Sequence, residues 1–303
     1  MKFIYSQQGK KRLDTYLAEN LDTSTRSQIQ KAIKQGGVLV NDKKTTVHHW
    51  LKPGDVIEYT VAVKESRVDR SLVPTIVYQD DHYLVLDKPA GLLVHPTERG
   101  EEHTVISWLV EHFPRVTEFG DPLRPGLVHR LDRDVSGLIA IALDEPSYFH
   151  LKEQFRDRTI DKHYTGLVYG VISNDEGTIS TPLERDKKTG KTKAQSVLLK
   201  QDQAHEAITH YEVIKRFHNF TLLDIKLVTG RTHQIRAHLH SIGHSLVGDS
   251  LYGTRDLKNK KLPSLPRPFL HASSLSFQSI TGEMIDCHSE LPSELNNLLA
   301  TLK

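Results

Sequence analysis

The stretch Gly126-Leu-Val-His-Arg-Leu-Asp-Arg-Asp-Val-Ser-Gly-Leu138, continuing as Ile-Ala-Ile-Ala-Leu143, constrains this chain more than any other. Six consecutive apolar residues from Leu138 to Leu143, bounded by turn-forming residues, read as a strand buried in a core. Immediately before it stand His129, Arg130, Asp132, Arg133 and Asp134. A segment entering a core rarely carries so much charge, so this strand brings a carboxylate to the mouth of the core, where ionised side chains have a use.

The rest of the chain arranges itself around that strand. Leu13, Tyr16 and Leu17 fall at helical spacing, and the hydroxyls of Thr23-Ser-Thr-Arg-Ser27 suit the cap of a second helix. That second helix has Ile29, Ala32 and Ile33 on one side and Arg26, Gln30 and Lys34 on the other, and it ends at Gly36-Gly37. Val38–Val40, the Asn41-Asp42 turn and the alternating Val56–Val61 predict a short β-element. Residues 62–73 are charged and aperiodic and precede Pro74, which reads as a linker. Beyond it, Ile76–Tyr78 and Tyr83–Leu86 predict a hairpin, and Lys88-Pro-Ala-Gly91 turns the chain towards Val94-His95. Tyr148, Leu151 and Phe155 predict a helix. Residues 162–170, 207–214 and 221–228 predict strands, and Ile235, Leu239 and Ile242 a second helix. Arg185, Lys187, Lys188, Lys191 and Lys193 surround Gly190, in either a plain surface hairpin or a flap that contacts phosphates.

Charge and cysteine usage narrow the setting. Residues 1–65 hold 11 Lys and Arg against 7 Asp and Glu, within a chain whose formal net charge is only +2. A basic leading module of this kind suits a polyanion. One cysteine, Cys287, excludes an intramolecular disulfide and a multi-cysteine metal site and points to the cytoplasm. No run approaches transmembrane length. The expectation is a two-domain chain, with monomer as the default.

His129-Arg-Leu-Asp132 with Val135-Ser-Gly-Leu138, followed in order by Thr229-Gly-Arg-Thr-His-Gln-Ile-Arg236, resembles the RNA pseudouridine synthases. Residues 1–61 resemble the S4 RNA-binding domain at Arg12-Leu-Asp14, Arg26-Ser-Gln-Ile29, Gly37, Val40-Asn41 and Gly54-Asp55. The resemblance implies an α+β protein with a catalytic domain over 74–303 built on a mixed, largely antiparallel sheet, no cofactor, no nucleotide and no metal. Its substrate would be structured RNA, ribosomal or transfer. It makes Asp132 the nucleophile, Arg231 its counterion, Tyr164 the residue stacked on the target base, and Leu270 the apolar wall opposite. Arg130 would fill the space left by the displaced base or else pair with Asp134 or with an RNA phosphate, with His129, Arg26 and Lys34 as further RNA contacts. Val135 and Asp87 replace the family's usual threonine and asparagine.

That chemistry fits the residues. Isomerising uridine breaks the bond from ribose C1′ to base N1, turns the base and rejoins it through C5, with no redox change. A carboxylate able to engage an electrophilic carbon serves this, as it does in glycosidases. It must stay ionised where water is excluded, and burial alone raises a carboxyl pKa, so a fixed cation has to oppose burial. Two other classes compete. His129, Asp132, Asp134, His233, His238, His240 and His244 offer ligands for a metal-dependent nuclease or hydrolase, although a helix cannot aim the last four at one ion. A non-enzymatic RNA-binding or ribosome-assembly factor is the other, and such a protein has no need of Asp132, Tyr164 and Arg231 together.

Overall fold

In a computed structural model of the chain, the described residues are 2–6, 9–21, 29–30, 32–33, 36–59, 71–96, 103–185, 192–194, 206–253 and 265–303. The chain divides into two compact units, residues 1–67 and 68–303.

In the first unit, β1 (Lys2–Ile4), β6 (Val56–Tyr59), β3 (Val38–Val40) and β4 (Lys43–Lys44) form one sheet in that order. β2 (Lys11–Arg12) pairs with β5 (Trp50–Leu51), and α1 (Leu13–Asn20) follows β2. Asn41 and Asp42 both take positive φ, 51° and 62°, the conformation of the two-residue turn that joins twisted strands. Leu13, Leu17, Ile29, Val38, Leu51 and Ile57 make the core. Asp14 is fully buried among them and is held by Arg12 and by the Gln30 amide at 2.7 Å. Arg26 and Lys34, expected to face RNA, lie outside the described residues, as does most of the expected linker. The end of that linker belongs to the second unit: Leu72 packs on its core, and its carbonyl bonds the His103 ring at 2.8 Å. The structured second unit therefore begins before Pro74, because an apolar side chain within the charged stretch has a core to join.

The second unit is built on a nine-stranded sheet. Its elements in chain order are β7 (Thr75–Gln79), β8 (Tyr83–Lys88), α2 (Val105–His112), β9 (Gly120–Asp121), β10 (Arg124–Pro125), β11 (Ser136–Ala142), α3 (Glu145–Asp157), β12 (Asp161–Tyr169) and β13 (Glu176–Ile179). There follow β14 (Leu183–Arg185), β15 (Thr192–Ala194), β16 (Thr209–Arg216), β17 (Phe220–Leu227), α4 (Gln234–Ser241), β18 (Leu270–Gln278), β19 (Met284–His288) and α5 (Ser293–Ala300). The sheet runs β13-β16-β17-β12-β18-β11-β8-β7, with β19 also on β18. Among the described strands of this sheet, only β11 and β18 pair in parallel, through Ser136↔His271 and Gly137↔Ala272. The whole is α+β, mixed and largely antiparallel.

All seven residues of β11 are buried, which explains the unbroken apolar run. Ile139 and Ile141 join the cluster of Leu84, Leu86, Leu109 and Leu239, while Leu138 and Ala140 join Leu151, Leu275 and Phe277 on the other side. Gly137 is required where β11 meets β18: its φ is 114°, and a Cβ there would stand 2.3 Å from the Ala272 carbonyl oxygen. Among the described residues, no helix is long and apolar enough to cross a membrane.

Candidate active site

Asp132 sits in the turn that feeds β11, its carbonyl accepting from the Val135 N–H. That turn is pinned from below. Lys88 is fully buried, and its ammonium donates to the carbonyls of Pro89, Leu92 and Arg133 at 2.9, 2.9 and 3.0 Å. The Arg133 carbonyl also accepts from the Gly91 N–H. Burial pushes the Lys88 pKa down to about 7, with Asp132 opposing the shift. The Lys88-Pro-Ala-Gly91 turn thus sets the height of the Asp132 loop, a role that its sequence alone did not disclose.

The cation on Asp132 is Arg236, not Arg231. Arg236 Nη1 donates to Asp132 Oδ2 at 2.9 Å, while Nε and Nη2 bind the two oxygens of Asp249 at 2.7 and 2.9 Å. Arg231 is exposed on the same cleft, its Nε turned to the Glu206 carbonyl at 3.3 Å. The start of α4 decides between the two arginines. Gln234 is buried and its Oε1 accepts from the Arg231 N–H and the Thr229 hydroxyl, while its Nε2 donates to the Ile208 carbonyl and Thr209. This folds residues 229–233 into a turn outside the helix and carries Arg236, within its first turn, into the interior.

Burial works against the Arg236 charge, but Asp249 and then Asp132 outweigh it and hold the guanidinium pKa above its ordinary value. For Asp249, burial pushes up, while Arg236 and the N–H groups of Tyr252 and Leu251 bring the pKa below the usual carboxylate range. The Tyr252 ring lies 5.3 Å beneath the guanidinium carbon. Asp249 and Tyr252 come from Gly248-Asp-Ser-Leu-Tyr-Gly253, where an acid and a tyrosine bracketed by two glycines were the available signal. Asp132 Oδ1 has no hydrogen bond among the described residues, so one carboxylate oxygen is anchored and the other is left for chemistry.

Tyr164, from β12, and Leu270, from the start of β18, line the recess that holds Asp132 and Arg236. Burial, with Asp132 nearby, raises the Tyr164 phenol pKa well above its usual value, so it keeps its proton. His233 also borders this recess, with Nε2 3.8 Å from Asp132 Oδ2. The recess opens into a cleft of about 640 Å³ lined by Arg124, Arg130, Lys152, Arg156, Arg158, Lys162 and Arg231, with Asp121 and Asp132 the acids among the described lining residues. Arg130 is exposed in it and donates to His95 Nε2 at 3.0 Å; Asp134, its alternative partner, is bound by Arg133. His129 borders the cleft but serves the fold. Its Nε2 accepts from the Ala140 N–H at 2.8 Å, its ring stacks on Phe155, and burial lowers its pKa to about 3. It is therefore a neutral ring there, not a cation for phosphate.

The histidines on and after α4 have separate duties. His238 bonds Thr209 and the Thr181 carbonyl, His240 bonds Ser245, and His244 bonds the Tyr169 carbonyl. Among the described residues, no three His, Cys, Asp or Glu side chains converge as metal ligands.

A protein of this construction, an aspartate on a strand entry braced by an arginine beneath a basic cleft, belongs among enzymes acting on nucleic acid through a carboxylate. The chain belongs to the RNA pseudouridylate synthase family, which it matches over residues 82–241, and it carries an S4 domain over residues 11–57. It is 36% identical to an uncharacterized RNA pseudouridine synthase of Bacillus subtilis, over 98% of this chain and 96% of that one. It is 34% identical to ribosomal large subunit pseudouridine synthase D of Haemophilus influenzae, over 99% and 94% of the two chains. The solved structure of human RNA pseudouridylate synthase domain containing 1 superposes with a TM-score of 0.60 at 25% identity, covering 76% of this chain and 88% of that one. The chain is thus an RNA pseudouridine synthase.

Proposed function

We propose that this enzyme isomerises uridines of large-subunit ribosomal RNA in the cytoplasm, acting as a monomer, with Asp132 as nucleophile. The single observation that carries the assignment of roles is the anchored carboxylate: Asp132 held on one oxygen by a buried, doubly bound Arg236, between Tyr164 and Leu270. Arg236 fixes the Asp132 carboxylate through a charge-assisted hydrogen bond at 2.9 Å, leaving Oδ1 directed to the recess where the uridine enters. Asp132 Oδ1 engages the uridine while the bond from C1′ to N1 breaks. Tyr164 and Leu270 hold the detached base between a ring and an aliphatic wall as it turns to present C5. Once the C1′–C5 bond forms and the Asp132 carboxylate is free again, that carboxylate takes the C5 proton by way of the Tyr164 hydroxyl, which stays protonated overall, and N1 gains a proton in exchange. Turning the target out of its stack costs a few kcal/mol, roughly, in other base-acting enzymes. Arg130, at the cleft surface, fills the vacated space. Arg231 contacts the RNA at the mouth.

The large-subunit target rests on the names of relatives such as the Haemophilus enzyme and on the S4 domain. Mapping pseudouridine in total RNA from cells with and without the gene, and with Asp132→Ala restored, tests it. The expected result is loss of one or more large-subunit sites, not rescued by the variant. A loss confined to transfer RNA would refute the ribosomal assignment, and rescue by Asp132→Ala would refute the nucleophile.

A further inference from the structure

Two lysines are almost wholly buried in the second unit, and they are treated in opposite ways. Lys88 spends its three N–H donors on three carbonyls. Lys162, with 9% of its surface exposed, has neither a carboxylate nor a hydrogen-bond acceptor among the described residues. Its ammonium lies 4.7 Å over the Phe155 ring, which stacks in turn on the neutral His129 at 4.6 Å. The nearby acids are engaged elsewhere. Asp161 bonds Lys226 and lies within 3.4 Å of His163, while Glu153 and Asp157 on α3 both face Arg156. Burying a cation without an anion is unfavourable, and an aromatic face compensates only in part. Burial alone lowers its pKa to about 8, so the amine still carries its proton at neutral pH.

The position of this cation is specific. Lys162 lines the outer cleft but not the inner recess, which holds Asp132, Tyr164 and Leu270. It precedes Tyr164 by two residues on β12, about 7 Å along the strand, and both side chains line the cleft, with the register against β18 shifting between His163 and Tyr164. That spacing is comparable with the distance between a nucleotide's base and a phosphate beside it. A base stacked on Tyr164 therefore brings backbone phosphate, and not base, over Lys162.

We propose that Lys162 is the seat of one RNA backbone phosphate, adjacent to the nucleotide whose base enters the recess, and that RNA supplies the anion this lysine lacks. The assignment rests on the reading of the cleft as the RNA site. It makes Lys162 a binding and positioning residue that sets how far the target strand slides along β12.

The test compares the full-length wild type with Lys162→Met and Lys162→Arg, using a transcript of large-subunit ribosomal RNA as the probe and titrating binding from 50 to 300 mM KCl. With the Met variant, affinity at the lowest salt should fall roughly tenfold, and the slope of log K against log salt should become shallower by about 0.7, the value of one single-strand phosphate contact. The Arg variant should keep the wild-type slope. Thermal melting of the Met variant should occur no lower than wild type, because an unpaired buried charge is replaced by an apolar chain. An unchanged slope with Met overturns the phosphate site while leaving the RNA cleft intact. A Met variant that melts several degrees lower or does not fold also overturns it, since the ammonium would then be structural. Wild-type protein that fails to bind the transcript overturns the RNA reading and the phosphate site with it.

Discussion

Asp249 grips Arg236 with both of its carboxylate oxygens, at 2.7 and 2.9 Å, so the arginine reaches Asp132 with its orientation already fixed. Such a two-point contact holds a planar guanidinium against rotation. Replacing Asp249 with Asn removes a fully buried charge and leaves Arg236 with one carboxylate. The expected cost is about 3 kcal/mol of stability, typical of breaking a buried pair, together with a fall in kcat larger than any change in KM. Chemical denaturation and steady-state kinetics on one preparation check both. Wild-type kcat in a folded Asp249→Asn protein would show that Asp132 alone orients Arg236.

The two arginines of Thr-Gly-Arg-Thr-His-Gln-Ile-Arg should separate kinetically. Arg236→Lys loses the fork that spans two carboxylates, and kcat should fall roughly 10²-fold or more. Arg231→Ala removes an exposed cation at the cleft mouth and should raise KM a few-fold, with kcat nearly unchanged. Release of tritium from RNA labelled at uridine C5 gives both constants. Equal losses of kcat would return Arg231 to the catalytic group.

For Tyr164, ring and hydroxyl can be told apart. Tyr164→Phe keeps the stacking surface and removes a hydroxyl that makes no hydrogen bond among the described residues, so stability should hold. If the hydroxyl moves the C5 proton, the rate falls by about 10²-fold or more, the usual scale of general acid–base catalysis. A solvent isotope effect on the Phe variant, compared with wild type, locates the affected step.

Stability should decline in mild acid. The folded-state pKa of His129 is lowered to about 3, and those of His238 and His271 are also below the ordinary histidine value, in each case chiefly through burial. The unfolded chain takes up these protons below about pH 6.5, whereas the folded protein withholds them. The stability is thus fully present above that pH and is lost progressively as pH falls, by up to about 1.4 kcal/mol per unit for His129 alone. His129→Gln keeps an acceptor for the Ala140 N–H without titrating. Melting curves from pH 7 to 4 should show a shallower decline for that variant.

Gly137→Ala places a methyl group against the Ala272 backbone at a φ that side chains avoid. A loss of about 3 kcal/mol or more is expected from overpacking and backbone strain together. Gly230→Ala, where nothing stands within 4 Å of the new Cβ, is the control and should change stability little. Denaturation midpoints of the two variants decide the matter.

Much of this was legible in the sequence for a definite reason. A six-residue apolar run with charge at its entry has few places in a fold, and Asp132 is found at the entry to a strand buried on both faces. Tyr164 and Leu270 lie on neighbouring strands and meet Asp132 in one recess. The choice between Arg231 and Arg236 was not legible. The two differ by five positions, and which one faces inward depends on where Gln234 folds the turn and starts the helix, a matter of tertiary hydrogen bonds. The silence about Lys88 and Asp249 has the same origin, since a buried charge announces itself only through partners distant in the chain.

The sheet order also bears on when this enzyme comes into being. β18 lies between β12 and β11, which carry Tyr164 and the approach to Asp132, yet it begins at Leu270 of a 303-residue chain. While the chain is being made, both residues emerge early with a gap between their strands. The recess closes only when β18 has left the ribosome and inserted between segments made long before. Such late, long-range strand insertion is slow compared with local folding. Every molecule therefore passes through a stage in which the nucleophile exists and the active site does not, and truncation before residue 278 would leave it there permanently.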